Sequence, residues 1–177
     1  MGSFRPVGEE TVHDGHIIRV VVATYEGPDG DTFERDVVRH PGAVAVLPLH
    51  DDGTVTLVRQ YRAPIDAHLL EIPAGVRDVE GEATEVTAAR ELAEEAGLAA
   101  DAYEHLVSFH NAPGMSDEVV DVYLATGLRE IDAAAQGPEE EAMSIERHHL
   151  DDLVGMIADG RLTDAKTVIA VALVRAR

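Results

Sequence analysis

The sequence predicts an α/β fold, a sandwich of helices around a mixed β-sheet, in a chain of 177 residues. Two observations support this. Strand-like segments rich in β-branched residues occur in runs, and one helical segment interrupts them near the middle of the chain. Two further helical segments close the sequence, and the last is apolar enough to pack inside. Neither an internal repeat nor a dividing linker is found, and this length suits about one domain.

The first strands are separated by turn residues. Gly27-Pro28-Asp29-Gly30 closes the first strand, and His50-Asp51-Asp52-Gly53 predicts a hairpin connection between the third and fourth. A fifth, short strand ends at Pro73-Ala74-Gly75. These five predicted strands span residues 17–24, 32–39, 43–49, 54–61 and 68–72.

A helix is predicted from Thr84 to Ala96, where the hydrophobic period changes from 2 to about 3.6 residues. Thr84 is a candidate N-cap, and Gly97 is a candidate for the left-handed residue that ends the helix. Strand character returns at residues 106–110 and 119–126. Residues 131–142 offer little to bury and predict a loop, and residues 151–159 and 163–176 predict the closing helices.

Composition excludes several classes of function. The chain has 34 Asp and Glu against 14 Lys and Arg, a formal charge of −20, which disfavours binding to nucleic acid or to an anionic membrane. It has no cysteine, which excludes thiolate catalysis and cysteine-based metal sites. No segment approaches the roughly 20 apolar residues that span a bilayer, and the N-terminus lacks the apolar stretch of a secretory signal. We therefore expect a cytoplasmic protein that binds neither nucleic acid nor membrane.

Acidic residues concentrate around the predicted central helix. At about 100° per residue, Glu91, Glu94 and Glu95 gather on one side. Like charges at this spacing destabilise a helix, and the macrodipole disfavours anions in its last turn. The cluster is either a solvated face or a site for a hard cation, because carboxylates on adjacent turns supply oxygen ligands to Mg²⁺ or Mn²⁺. The predicted apolar side, opposite the carboxylates, consists of Val86, Ala89, Leu92, Ala93 and Ala96.

The spacing of these residues resembles the Nudix box. That pattern is Gly, five residues, Glu, seven residues, Arg-Glu, an aliphatic, any residue, Glu-Glu, any residue, Gly and an aliphatic. Here seven residues separate Glu82 from Arg90, and residues 90–98 match every specified position. One departure lies before the helix, where six residues instead of five separate Gly75 from Glu82, and Gly81 offers a place for the extra residue.

Features outside the box resemble the ADP-ribose pyrophosphatase branch of that family. Ile72-Pro73-Ala74-Gly75 is similar to the strand end that precedes the box, and Pro113, 16 residues beyond Gly97, matches the downstream proline of the branch. The resemblance runs from about residue 35 to the C-terminus. It implies a Nudix-type α/β/α sandwich with a mixed sheet over residues 41–177. Residues 1–40 are then a β-rich N-terminal segment that forms a homodimer and supplies part of an adenosine pocket.

The activity implied by the resemblance is metal-dependent hydrolysis of the pyrophosphate bond of ADP-ribose to AMP and ribose 5-phosphate. Mg²⁺, with Mn²⁺ or another divalent cation as the alternative, would serve as cofactor. The family's motif also assigns site residues, each at its matching position. The implied metal ligands are Glu91, Glu95, Glu82 and the Ala74 carbonyl, with Glu94 as a further catalytic carboxylate.

Further roles follow from the same resemblance. Arg62, in Gln60-Tyr61-Arg62, is similar to a phosphate-contacting residue of the branch, and Arg39, before Gly42-Ala43-Val44, is similar to a second substrate-side arginine. The downstream proline, Pro113, is assigned to the substrate site as well. A surface ion pair is the alternative for both arginines. The catalytic base of the branch comes from a loop after the box, here Glu139-Glu140-Glu141, and Glu140 and Glu141 fit equally well. Three solvated glutamates are the alternative there.

Other functions stay open at this point. A Nudix hydrolase of another nucleoside diphosphate sugar, such as GDP-mannose, would have the same box. A catalytically weak ADP-ribose-binding regulator is a second alternative, against which the intact Glu91, Glu94 and Glu95 argue. An acidic, ion-buffering domain would bind Mg²⁺ but release no product.

Overall fold

The computed structural model describes residues 3–131 and 143–177, which form two compact units. The first unit is the chain up to Gly42 together with His110–Val119. The second unit is Ala43–Phe109 together with Val120–Arg177. Each unit is described by itself below.

The first unit contains a three-stranded antiparallel sheet in the order β1-β2-β3. Its strands are β1 (Arg5–Asp14), β2 (Arg19–Glu26) and β3 (Thr32–Arg39). The second and third agree with the predicted strands, with β2 starting two residues late. No strand was predicted at β1, because the segment has no alternating apolar pattern. The structure shows why: all ten of its residues are exposed, so neither face needs apolar side chains.

The second unit contains two larger sheets and three helices within the described ranges. A four-stranded sheet has the order β7-β4-β10-β9, and a three-stranded sheet has the order β12-β5-β6. A two-stranded pair joins β8 to β11, and a short 3-10 helix occupies Ala63–Ile65. The strands are β4 (Ala43–Pro48), β5 (Thr54–Arg62), β6 (Ala67–Glu71), β7 (Ala74–Val76), β8 (Leu98–Ala99), β9 (Ala102–His110), β10 (Val119–Thr126), β11 (Arg129–Glu130) and β12 (Ser144–His149). The helices are α1 (Thr84–Ala96), α2 (Leu150–Ala158) and α3 (Ala165–Arg175).

The central sheet of the second unit is mixed, as the sequence predicts. Strand β4 is parallel to β10 and antiparallel to β7. Alternate residues of β4 enter different cores: Val44 and Val46 pack with α1, whereas Ala45 and Leu47 pack with residues of α2 and α3. Helices therefore cover both faces of the sheet, and the predicted α/β sandwich is confirmed.

Local predictions for the helices are partly wrong. The bounds of α1 agree, and Gly97 ends the helix with a left-handed φ of 61°. Ala83, not Thr84, is the N-cap: its backbone is extended, with φ −68° and ψ 141°, whereas Thr84 is already helical. The Thr84 hydroxyl is hydrogen-bonded to the Tyr123 hydroxyl at 2.6 Å and caps no backbone N–H among the described residues. Helix α3 starts two residues later than predicted, after an Asp164 N-cap.

Two further comparisons concern the C-terminal part. Strand β12 was not predicted; it pairs with β5 along its whole length. The loop predicted at residues 131–142 lies, apart from Ile131, outside the described residues. Along the described ranges, every helix is too short or too polar to cross a membrane.

Candidate active site

Two carboxylates of α1, those of Glu91 and Glu95, face inward rather than toward solvent. Glu91 and Glu95 retain only 6% and 8% of their accessible surface, whereas Val86, predicted on the apolar side, is 55% exposed. The prediction of the buried side was therefore wrong by part of a turn. The side that is buried consists of Thr87, Ala88, Glu91, Leu92, Glu95 and Ala96.

Gly75 brings the backbone of β7 against the Glu91 carboxylate. A Cβ atom at position 75 would lie 2.0 Å from Cδ of Glu91, so a side chain does not fit there. The extra residue before Glu82 thus leaves the glycine turn in contact with the helix. Gly81 in the intervening loop has a φ of 77°, a conformation that glycine adopts without strain.

Ala74 lies beside Glu95. Its backbone N–H donates to Glu95 Oε2 at 2.9 Å, and it pairs with Ala45 in the central sheet. The residue whose carbonyl is predicted to bind metal is therefore joined directly to the second buried carboxylate. Strand β7 and helix α1 hold Ala74, Gly75, Glu91 and Glu95 in one place.

Arg90 is the centre of an ion-pair cluster. Its Nη1 donates to Glu91 Oε1 at 2.7 Å and to Glu94 Oε2 at 3.3 Å, and its Nη2 lies 3.4 Å from Glu82 Oε2. A fourth carboxylate, that of Asp78, lies 3.3 Å from Nη2. The predicted site residues Glu82, Glu91 and Glu94 are thus brought together around one guanidinium.

Burial changes the proton affinity of both inward-facing glutamates. Burial raises the pKa of Glu91 to about 7, against the opposing charge of Arg90. Burial also raises the pKa of Glu95 to about 8; the Ala74 N–H opposes the shift and the nearby Glu91 adds to it. Near neutral pH these carboxyls therefore hold protons that a cation can displace.

The residues present fit a hard divalent cation by their chemistry. Carboxylates and a backbone carbonyl are the oxygen donors that Mg²⁺ prefers, and the absence of a side chain at Gly75 lets the Glu91 carboxylate lie directly against β7. Among the described residues, no three His, Cys, Asp or Glu side chains converge in a ready-made cage. The reason is visible in the cluster: the Glu91, Glu94 and Glu82 oxygens turn toward Arg90.

Arg62, the predicted phosphate contact, is held by a buried carboxylate on the neighbouring strand. Its Nε donates to Glu71 Oε1 at 2.8 Å and its Nη2 to Glu71 Oε2 at 2.7 Å. Glu71 is 1% exposed and was given no role in the predicted site. The available signal was a single acid in the otherwise apolar end of a predicted strand, at residues 68–72.

Arg39 and Pro113 lie in the first unit, where they border a cavity of about 460 Å³. Arg39 donates to Glu9 Oε2 at 2.6 Å and to Asp117 Oδ2 at 3.0 Å, so it has the ion pairs considered as its alternative role. The rings of Tyr25 and Phe33 stack in the cavity wall with centroids 5.7 Å apart. Apolar rings beside a guanidinium suit a flat, polar-edged ligand.

The loop predicted to supply the base, Glu139, Glu140 and Glu141, lies outside the described residues. Its role is a prediction from resemblance alone.

The sandwich fold, with a carboxylate helix packed on a glycine turn, defines a Nudix-type domain. Comparison with known proteins agrees: the NUDIX domain family matches residues 38–171. The chain belongs to this family.

Two relatives and one solved structure are similar to the chain over most of its length. The chain is 39% identical to the ADP-ribose pyrophosphatase of Mycobacterium tuberculosis over 98% of this chain and 84% of that one. It is also 39% identical to the methanol dehydrogenase activator of Bacillus methanolicus, over 94% of this chain and 90% of that one. A crystal structure of an ADP compounds hydrolase has the same fold, with a TM-score of 0.85 at 23% identity over 99% of this chain and 94% of that one.

Proposed function

We propose that this protein is a Nudix pyrophosphatase that hydrolyses ADP-ribose to AMP and ribose 5-phosphate with Mg²⁺. The observation that carries the proposal is the pair of buried glutamates, Glu91 and Glu95, packed against Gly75 and Ala74. A solvated acidic face would expose them instead. The near-full-length similarity to an ADP-ribose pyrophosphatase supports the choice of substrate.

The proposed reaction adds water to one phosphorus of the pyrophosphate and breaks its bond to the bridging oxygen. Glu91, Glu95 and the Ala74 carbonyl would hold the cation, with Glu82 and Glu94 adjacent. Bound there, Mg²⁺ supplies charge neutralisation and a more acidic water. Arg62 neutralises phosphate oxygens, and Glu140 or Glu141 accepts the proton of the attacking water.

The cavity of the first unit is the proposed site for the nucleoside. The stacked Tyr25 and Phe33 rings offer an apolar wall to a base, and Pro113 borders the same space. Arg39 lies at this cavity with its charge already neutralised by Glu9 and Asp117. Arg39 therefore holds the cavity wall in place, and it can contact a ligand only if its ion pair with Glu9 or Asp117 breaks.

A homodimer completes the proposal. Strand β1 has no buried residue, yet it carries apolar side chains, among them Val7 and Val12, that are 52% and 66% exposed. A ten-residue edge strand of this kind is a ready surface for pairing with another chain. We propose that a second copy of this chain pairs with the exposed edge of β1.

A substrate panel tests the function. ADP-ribose, GDP-mannose and other nucleoside diphosphate derivatives are incubated with Mg²⁺ or with EDTA, and the products are separated by chromatography. We expect AMP and ribose 5-phosphate from ADP-ribose, with Mg²⁺ only. Faster turnover of GDP-mannose would identify the protein as a Nudix hydrolase of another nucleoside diphosphate sugar. Turnover of no compound would favour a binding role.

A further inference from the structure

Two cations share the buried Glu71 carboxylate. Arg62 binds it through two hydrogen bonds, and Lys166 Nζ donates to Oε2. Burial alone would raise the pKa of Glu71, but the Arg62 hydrogen bond and the Lys166 charge bring it below its ordinary value. Glu71 is therefore ionised at neutral pH, and two groups instead of one fix its position.

Arg62 is held in a way that leaves one edge for a ligand. Glu71 takes Nε and Nη2, while Nη1 has no hydrogen-bond partner among the described residues. The Arg62 side chain keeps 38% of its surface accessible. Glu71 is three residues before Ala74, whose N–H donates to Glu95 Oε2 at 2.9 Å, so the network lies near the proposed metal ligands.

The start of helix α3 holds this network against the strand that leads to the glycine turn. Asp164 accepts from Lys166 Nζ at 2.8 Å and from the Thr167 N–H at 3.0 Å. The Thr167 hydroxyl in turn accepts from the Ile72 N–H at 2.9 Å. Thus Asp164, Lys166 and Thr167 together fix Glu71 and Ile72.

We propose that Glu71 and Lys166 are positioning residues for Arg62: Lys166 fixes the Glu71 carboxylate, and Glu71 holds the guanidinium with its Nη1 edge toward the pyrophosphate. This inference rests on the proposed function and deepens it. Neither residue needs to touch substrate. Without Lys166, the carboxylate loses one anchor and Arg62 loses its fixed orientation, so binding of the phosphates weakens more than the chemical step does.

Kinetics of single and double variants test the coupling. Lys166→Met should raise the KM for ADP-ribose about tenfold, the worth of one charge-assisted hydrogen bond, and change kcat less than threefold. Lys166→Arg keeps the charge, so its KM should lie close to that of the wild type. In an Arg62→Ala background the Lys166→Met effect should fall below twofold, because Arg62 is the group that Lys166 positions. Equal effects in both backgrounds would overturn the proposal.

A matched control and a binding measurement separate this inference from the proposed function. Glu146→Gln weakens a more exposed Arg–Glu pair, that with Arg59, in the same sheet and should leave KM unchanged. Calorimetric binding of ADP with Mg²⁺, which needs no hydrolysis, should show the same coupling between Lys166 and Arg62. If ADP binding is coupled but ADP-ribose is not hydrolysed, only the proposed function fails. If the wild-type protein binds no ADP, or Glu146→Gln weakens binding as much as Lys166→Met, the positioning role is refuted.

Discussion

Replacing Glu95 by Gln should stabilise the metal-free protein at alkaline pH while removing its response to Mg²⁺. Glu95 is buried, and its one hydrogen-bond donor among the described residues is the Ala74 N–H. A glutamine oxygen can accept the same hydrogen bond without a buried charge. The substitution therefore removes the electrostatic penalty and keeps the contact with β7.

The size and pH range of the effect follow from the pKa of Glu95. Its value rises from 4.5 to about 8 on folding, so the folded state binds the proton more tightly. The stability that this proton contributes is complete below pH 4.5 and is lost as pH rises to 8. At 1.36 kcal/mol per unit, the upper limit of the loss is about 5 kcal/mol. The unpaired amide hydrogens of glutamine offset about 1–3 kcal/mol of it.

Urea unfolding in EDTA measures this difference. At pH 9 the free energy of unfolding of the Glu95→Gln variant should exceed that of the wild type by at most about 2–4 kcal/mol, and at pH 5 the variant should be equally or less stable. Added Mg²⁺ should stabilise the wild type only. Glu85→Gln, an exposed change on the same helix, is the control. Its free energy of unfolding should differ little from that of the wild type at either pH. A Glu95→Gln variant less stable than the wild type at pH 9 would refute the reasoning.

Four further outcomes are expected. Arg62→Ala should raise KM more than it lowers kcat in steady-state assays, if the guanidinium binds the pyrophosphate in ground and transition states alike. Gln at the true base, Glu140 or Glu141, should lower kcat by roughly 10²–10⁴ with Mg²⁺ affinity intact by calorimetry, and part of the loss should return at high pH. Gly75→Ala should displace Glu91 and weaken Mg²⁺ binding in the same calorimetric titration, because its Cβ would meet the carboxylate. Light scattering should give twice the 19.0 kDa chain mass, and a monomer at micromolar concentration would contradict the dimer.

Helix α1 shows what periodicity can and cannot predict. Its bounds follow from the spacing of its apolar residues and from Gly97, and both agree with the structure. Its buried side does not follow, because charge was taken as a sign of exposure. Thr87, Glu91 and Glu95 are buried, whereas Val86 faces solvent. At a functional site charged residues can be buried and apolar residues exposed, the reverse of the usual pattern. Only the spacing of the Nudix box indicated a functional role for these acids.

Partners distant in sequence were beyond the reach of the motif. Lys166 and Glu71 are 95 residues apart and meet only because β6 and the start of α3 pack together. In the sequence, Lys166-Thr167 resembles the end of a phosphate-binding loop only in part, because the glycine before the lysine and the required spacing are absent here. Strand β1 was missed for another reason: a strand with both faces exposed has no alternation to detect.

The two most informative buried acids of the second unit differ in their neighbours, and this difference separates their roles. Glu71 lies between two cations, so its pKa falls despite burial and its charge is satisfied within the fold. Burial raises the pKa of Glu95 to about 8, because the Ala74 N–H and the charges of Arg62 and Lys166 only partly oppose it and the neighbouring Glu91 adds to it. A buried anion with its own cations is neutralised within the fold, whereas buried carboxylates placed side by side gain most from a divalent cation. The difference supports both proposed roles, positioning for Glu71 and metal binding for Glu95, on the same physical grounds.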